Sequence, residues 1–240
     1  MTFPAVLSVS EIEITTAAQS YSIAMPATVD AGDLLIMFVA HDADAAVAFD
    51  AVSGWTNLFD ADADGTGRVG CWAKVAVGNE DGTNVTVSFS GTGNREAEAF
   101  VFRIQAGTYG SGVIGDVEVT TAEGTSGTPD PPPLTASWGS ADNLWIVFYC
   151  ADNDRALTAY PANFTSNQVF AQISGVTGDQ TIAAATRELV STEVNPGAFT
   201  IAASEQWRAA TLGVRGFVDA GGGGGQAARA MHQMRMRRVA

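Results

Sequence analysis

The chain has 240 residues, of which 46% are hydrophobic and 16% charged, and its formal net charge is −14. This length allows one large domain or two small ones, and two cysteines placed far apart exclude a disulfide framework. All 26 acidic side chains precede residue 220, so the body repels nucleic-acid phosphates, and its longest apolar run, Leu34–Ala40, is too short to insert into a membrane.

Short stretches rich in Val, Ile, Thr and Phe alternate with clusters of Gly, Asp, Asn and Pro, which predicts an all-β body. Turn-forming pairs such as Asp81-Gly82 separate the stretches. Two tryptophans, Trp72 and Trp145, and both cysteines, Cys71 and Cys150, fall inside strand patterns and are predicted to be buried. The predicted strands are Glu11–Thr16, Tyr21–Met25, Asp33–Ala40, Val69–Val77, Asn84–Ser90, Ala97–Ile104, Asp116–Thr121 and Leu134–Trp138.

The series of strand patterns occurs twice along the chain. Segments Glu13–Ala17, Leu34–Phe38 and Ala97–Arg103 match Glu118–Ala122, Leu144–Phe148 and Ala209–Arg215. The predicted divisions are residues 1–109, residues 110–218 and a tail, residues 219–240. The repeats can form two tandem sandwiches or one larger antiparallel, jelly-roll-like β-sandwich. The short Gly-rich connection at residues 107–115 favours packing them as one body.

The tail differs in composition from the body. A pentaglycine hinge, Gly221–Gly225, precedes a basic segment of good helix formers that carries a charge of +4. A free helix of this length is marginal in water, so the segment is predicted to order on a partner, a disordered solubilising tail being the alternative. The predicted partner-docking residues are Arg229, Met231, Met234, Arg235, Met236, Arg237 and Arg238.

Two kinds of ligand site are considered in the body. Asp60, Asp62 and Asp64 open like a calcium loop and are candidates for a weak Ca²⁺ site, although Cys71 stands where such a loop requires glutamate. The alternative is a solvated acidic loop tip. Trp55 and Trp207 lie near strand starts and would offer faces for stacking on a sugar, unless they pack at the sandwich ends.

The sequence favours no catalytic site. The two histidines are His41, predicted in a loop after a strand, and His232 in the tail, and no serine occupies a nucleophile-elbow motif. Gly110–Gly115 spells GxGxxG, but it precedes a predicted strand where a dinucleotide site requires a helix. The chain is therefore predicted not to be an enzyme and, apart from Ca²⁺, to bind no cofactor.

Several segments resemble virion proteins of tailed bacteriophages and related phage-like particles. They are Ala31–Leu35, Asp130–Trp138, Ala141–Ile146, Tyr160–Thr165 and Asn195–Arg215. The resemblance implies a virion location after assembly in the host cytoplasm, and other tail or capsid proteins as partners. It also implies a homo-oligomer, trimers being common among such appendages.

These observations lead to one main hypothesis and two alternatives. The main hypothesis is an external tail or head appendage that contributes to host attachment, for example through a host surface glycan, and is anchored by its C-terminal tail. One alternative is a capsid decoration protein that stabilises the particle. The other is an extracellular carbohydrate-binding module.

Overall fold

The computed structural model describes residues 2–42, 47–63, 65, 67–91, 93–174 and 179–217. This part of the chain consists of antiparallel strands and a single 3-10 turn, Ile114–Asp116, which confirms the predicted all-β body. The first half contains β1 (Val6–Ala18), β2 (Ser20–Ala24), β3 (Leu34–Asp42), β4 (Ala48–Phe49), β5 (Thr56–Ala63), β6 (Gly67–Val75), β7 (Asn84–Ser90) and β8 (Arg95–Ile104). The second half contains β9 (Val117–Ser126), β10 (Leu134–Thr135), β11 (Ala141–Asp152), β12 (Leu157–Ala159), β13 (Ser166–Ile173), β14 (Gln180–Ser191), β15 (Glu193–Val194), β16 (Thr200–Ile201) and β17 (Glu205–Val214).

Each half builds one five-stranded antiparallel sheet. The orders are β1-β8-β3-β6-β5 and β9-β17-β11-β14-β13, so each sheet places the first, last, third, sixth and fifth strands of its half side by side. Every ladder between the described strands joins strands of the same half. Two isolated bridges, Thr2 to Phe217 and Tyr109 to Gly216, also join the two halves. The halves are therefore held together mainly by packing.

The two five-stranded sheets pack face to face. Alternate side chains of β3, among them Leu34, Ile36 and Phe38, point into the same apolar cluster as Ile146 and Phe148 of β11. The rings of Phe38 and Phe148 stack with centroids 4.4 Å apart. Burying a side chain of this size stabilises the fold by about 1.5–3 kcal/mol. This inter-sheet core is the main contact between the halves.

Smaller sheets cover the outer faces. Sheet β2-β7-β4 packs on the first five-stranded sheet around Met37 and Trp72, and sheets β10-β15 and β12-β16 pack on the second around Trp145 and Tyr149. The central strands β3 and β11 are thus covered on both faces. Because neither face meets water, these strands are continuous apolar runs rather than alternating ones. The predicted burial of Trp72 and Trp145 is confirmed.

The structure differs from the predicted local structure in several places. The predicted strand Leu134–Trp138 ends at Thr135, because the chain turns before Trp138. Strand β5 was not predicted, because its Asp-rich sequence resembles a turn, yet it pairs with β6 at the sheet edge. His41 belongs to β3, paired with Arg68 and Ala97, and does not lie in a loop. Cys71 and Cys150 are buried, unpaired cysteines in β6 and β11, as predicted.

Candidate functional site

The two tryptophans predicted to stack on sugars pack against the protein. Trp207 is only 6% exposed, and its indole N–H donates to the hydroxyl of Ser126 at 3.0 Å. Its ring covers Gly124 on the neighbouring strand, where a Cβ would lie 2.8 Å from the ring. Trp207 therefore packs against the protein, which is the alternative to a sugar-stacking face that the sequence left open. Trp55 is partly buried against the outer core of the first half.

The proposed calcium ligands Asp60 and Asp62 are strand residues beside arginines. The Asp60 carboxylate accepts a hydrogen bond from Arg68 at 2.6 Å, and the Asp62 carboxylate lies 3.8 Å from the guanidinium of Arg208. Asp64 is outside the described residues. Among the residues that the structure describes, no three His, Cys, Asp or Glu side chains form a metal-binding group. Asp60 and Asp62 therefore belong to an edge strand beside arginines and not to a loop, and the Ca²⁺ site that includes Asp64 stays a prediction.

The predicted docking segment lies outside the described residues. This applies to the hinge Gly221–Gly225 and to all seven docking residues, Arg229, Met231, Met234, Arg235, Met236, Arg237 and Arg238. Their role stays a prediction from sequence.

One carboxyl group is buried between the two halves. Glu98 on β8 is fully buried, and neither of its carboxylate oxygens has a hydrogen-bond partner. Its neighbour across the strands is Glu13 of β1. Burial, with a smaller effect from the charge of Glu13, raises the pKa of Glu98 to about 9. The group is therefore a neutral carboxylic acid at neutral pH, with no route for exchanging substrate.

His41 is equally inaccessible. Its ring lies between Phe49 and Phe89, with centroid distances of 4.6 and 4.7 Å, and neither ring nitrogen has a partner. Burial lowers the pKa of His41 to about 4. The imidazole is neutral and packs as an aromatic side chain, so it has no access to a substrate proton.

Arg103 holds an acidic turn against the sheet. Its guanidinium binds Asp33 at 2.6 Å, Asp30 at 2.7 Å and the hydroxyl of Thr28 at 2.7 Å. Asp33 is 1% exposed and also accepts a hydrogen bond from the backbone N–H of Ala106. Because the charge of Asp33 is fully compensated inside the protein, we assign this cluster a structural role.

A polar groove opens at the edge of the second five-stranded sheet. Strand β13 begins at Ser166, opposite Thr186 of β14, while β14 continues to Ser191 without a ladder partner on that side. The groove has a volume of about 430 Å³. Its lining combines hydroxyl, amide, guanidinium and carboxylate groups, from Asn163, Thr165, Ser166, Thr186, Arg187 and Glu188.

Local hydrogen bonds fix the wall of this groove. The register of β13 shifts between Ser166 and Val169, which is a β-bulge. Within it, Asn167 has a φ of 46° and donates from its side-chain amide to the hydroxyl of Thr186 at 2.8 Å. Asn163, at the groove itself, has a φ of 69°. Left-handed backbone at two non-glycine residues is uncommon and occurs often at binding sites.

Arg187 is the distinctive charge of the groove. Six of the eight basic side chains in residues 1–219 form ion pairs with acidic residues, and Arg95 donates to a backbone carbonyl. Arg187 has no ion pair and no side-chain hydrogen bond to any described residue, although acidic side chains outnumber basic ones in the body. Sequence reasoning missed the groove, because only the pairing of β13 with β14 brings its residues together.

No family model matches the chain, and no curated protein matches it. Within the described residues, no helix has the length and apolar character needed to cross a bilayer.

Proposed function

We propose that the chain is a non-enzymatic structural protein of a phage particle, an external tail or head appendage that contributes to host attachment. The resemblance of several body segments to virion proteins motivates the proposal. The observation that carries it is the body itself, in which two five-stranded sheets meet through one continuous apolar core. Such a unit holds its surface rigidly, as a particle component exposed to solvent must.

We also infer that the two halves descend from one duplicated jelly-roll unit. Both large sheets follow the same strand order, and each half has its own outer layer. In the first half, β1-β8-β3-β6 opposite β2-β7-β4 has the arrangement of a jelly roll with its remaining strand, β5, added to the large sheet. The sequence matches between the halves support this inference.

The tail supplies the anchor in this proposal. Residues 220–240 carry four arginines and no acid, whereas the body is strongly acidic, so the tail is suited to a partner that the body repels. Deleting residues 221–240 should release the protein from particles and leave its β-type circular dichroism spectrum and its melting temperature unchanged. Retention of the shortened chain on particles would contradict the anchoring role.

Immunogold electron microscopy with an antibody to the body tests the location. Label confined to the tail or to a single vertex supports an attachment appendage. Label spread over the whole head would indicate the alternative, a decoration protein that adds stability to the capsid lattice. Absence of label from purified particles would contradict both roles.

A carbohydrate-binding role is the second candidate, and the polar groove at Arg187 now supports it. With Trp207 buried and Asp60 paired to Arg68, the sites first considered for a sugar are weaker than this groove. Glycan binding by the groove is compatible with an attachment appendage, because both require a ligand site on the exposed body.

A further inference from the structure

We propose that the groove lined by Asn163, Thr165, Ser166, Thr186, Arg187 and Glu188 binds a carboxylate-bearing sugar unit of the uronic-acid type. The inference rests on the proposed attachment function for its biological meaning. The binding itself is a property of the purified chain and is tested separately.

The charge of the ligand follows from Arg187. A guanidinium presents five N–H donors in a planar fork that matches a carboxylate, and such pairs are among the stronger hydrogen-bonded contacts in proteins. Six other basic side chains of the body already form ion pairs with acidic residues, so their charges are balanced within the protein. The fork of Arg187 has no partner among the described residues, and it lies in the groove.

The remaining lining determines what surrounds that carboxylate. Thr165 and Ser166 provide hydroxyls that donate or accept, Asn163 provides an amide with both functions, and Glu188 provides an acceptor. This mixture complements the hydroxyl groups of a sugar ring. Glu188 and the acidic body disfavour multiply charged phosphate or sulfate groups, whereas one carboxylate is balanced by one guanidinium.

The groove is also preorganised. The amide of Asn167 donates to Thr186, whose hydroxyl in turn donates to the backbone carbonyl of Ser166 at 3.2 Å. The side-chain amide of Gln168 donates to the carbonyl of Phe164 at 2.8 Å. These bonds fix the start of β13 and the loop before it in the absence of a ligand, so little conformational entropy is lost on binding.

The experiment compares sugars that differ only at the carboxylate. Galacturonate and glucuronate are titrated against the full chain by saturation-transfer NMR, beside galactose and glucose, with inorganic phosphate as a simple anion. The uronates should bind at least about tenfold more tightly than the neutral sugars and than phosphate. Equal binding of neutral and acidic sugars, preference for phosphate, or no binding of either uronate would overturn the proposal.

Variants locate the binding. Arg187→Gln should weaken uronate binding by at least about tenfold. Arg187→Lys keeps the charge and loses the planar fork, so its uronate affinity should lie between those of the wild type and Arg187→Gln. The matched control is Arg95→Gln, which removes a charge that likewise forms no ion pair with a described residue but lies in the first half. Unchanged uronate affinity in Arg187→Gln, or an equal loss in Arg95→Gln, would refute the site.

The outcomes separate this inference from the proposed function. Uronate binding that depends on Arg187 in a protein absent from particles would leave the site standing and remove the attachment role. Particle-bound protein that binds no uronate would remove the site and leave the proposed function standing. Circular dichroism and thermal melting of each variant confirm that any loss of binding comes from a folded chain.

Discussion

Replacing Glu98 by glutamine is expected to stabilise the protein, and the stabilisation should grow with pH. Glu98 is fully buried between the two large sheets, where burial and then the charge of Glu13 raise its pKa from an ordinary value of 4.5 to about 9. The folded protein therefore keeps a proton that the unfolded chain releases at neutral pH. The contribution of this carboxyl to stability is fully present below about pH 4.5 and is lost as the pH rises through about 9.

The size of the effect follows from the difference in pKa. Each pH unit between the two pKa values changes the free energy of unfolding by about 1.4 kcal/mol. Between about pH 5 and pH 8, Glu98 should therefore reduce the stability of the wild-type protein by up to about 4 kcal/mol. Glu98→Gln has nearly the same volume and does not titrate, so it should avoid this loss without opening a cavity.

Urea unfolding at the two pH values measures the difference. The free energy of unfolding of Glu98→Gln relative to wild type should increase from the lower to the higher pH. The matched control is Glu193→Gln, which removes an exposed carboxylate and should follow the wild-type pH dependence. Parallel pH dependence for Glu98→Gln and wild type would refute the reasoning, because Glu98 would then titrate alike in the folded and unfolded chains.

Three further predictions concern stability and use the same urea assay. Burial lowers the pKa of His41 from 6.5 to about 4. Its contribution to the free energy of unfolding is therefore fully present above pH 6.5 and falls by up to about 3 kcal/mol toward pH 4. His41→Phe should abolish this loss in acid, and an unchanged acid profile of the variant would contradict the prediction. Gly70→Ala places a Cβ 2.2 Å from a buried indole ring and should cost about 1–3 kcal/mol, whereas Gly115→Ala, with no contact closer than 3.9 Å, should cost far less. Arg103→Met leaves the Asp33 carboxylate buried without its cation and should lower the free energy of unfolding by about 3–5 kcal/mol. Arg103→Lys should recover part of this loss. Equal stability of the Arg103→Met and wild-type proteins would refute the structural role.

Much of the strand content could be predicted because it depends on local pattern. Asn84–Ser90 was predicted at the bounds that the structure gives to β7, and the apolar run Leu34–Ala40 lies within β3. Strand β5 was missed because aspartates are typical of turns, yet an edge strand tolerates them where its side chains reach arginines or solvent. Composition alone does not distinguish these two cases.

The candidate sites were less predictable, since they depend on contacts between distant segments. Trp207 appeared available for a ligand, but pairing of β17 with β9 places its ring over Gly124. Asp60 appeared to be a metal ligand until pairing of β5 with β6 brought Arg68 beside it. In both cases, a residue on the neighbouring strand occupies the group that the local motif left free.

The sequence by itself determined that this protein is built from antiparallel strands, because alternation of residue types and turn residues acts over a few neighbouring positions. Only the tertiary structure decided which polar groups are neutralised and which remain free. It buried Glu98 and His41 without partners, paired most arginines with acids, and left Arg187 in an open groove. The reason is that burial and charge pairing depend on how the sheets pack, and residues far apart in the chain meet only after they have packed.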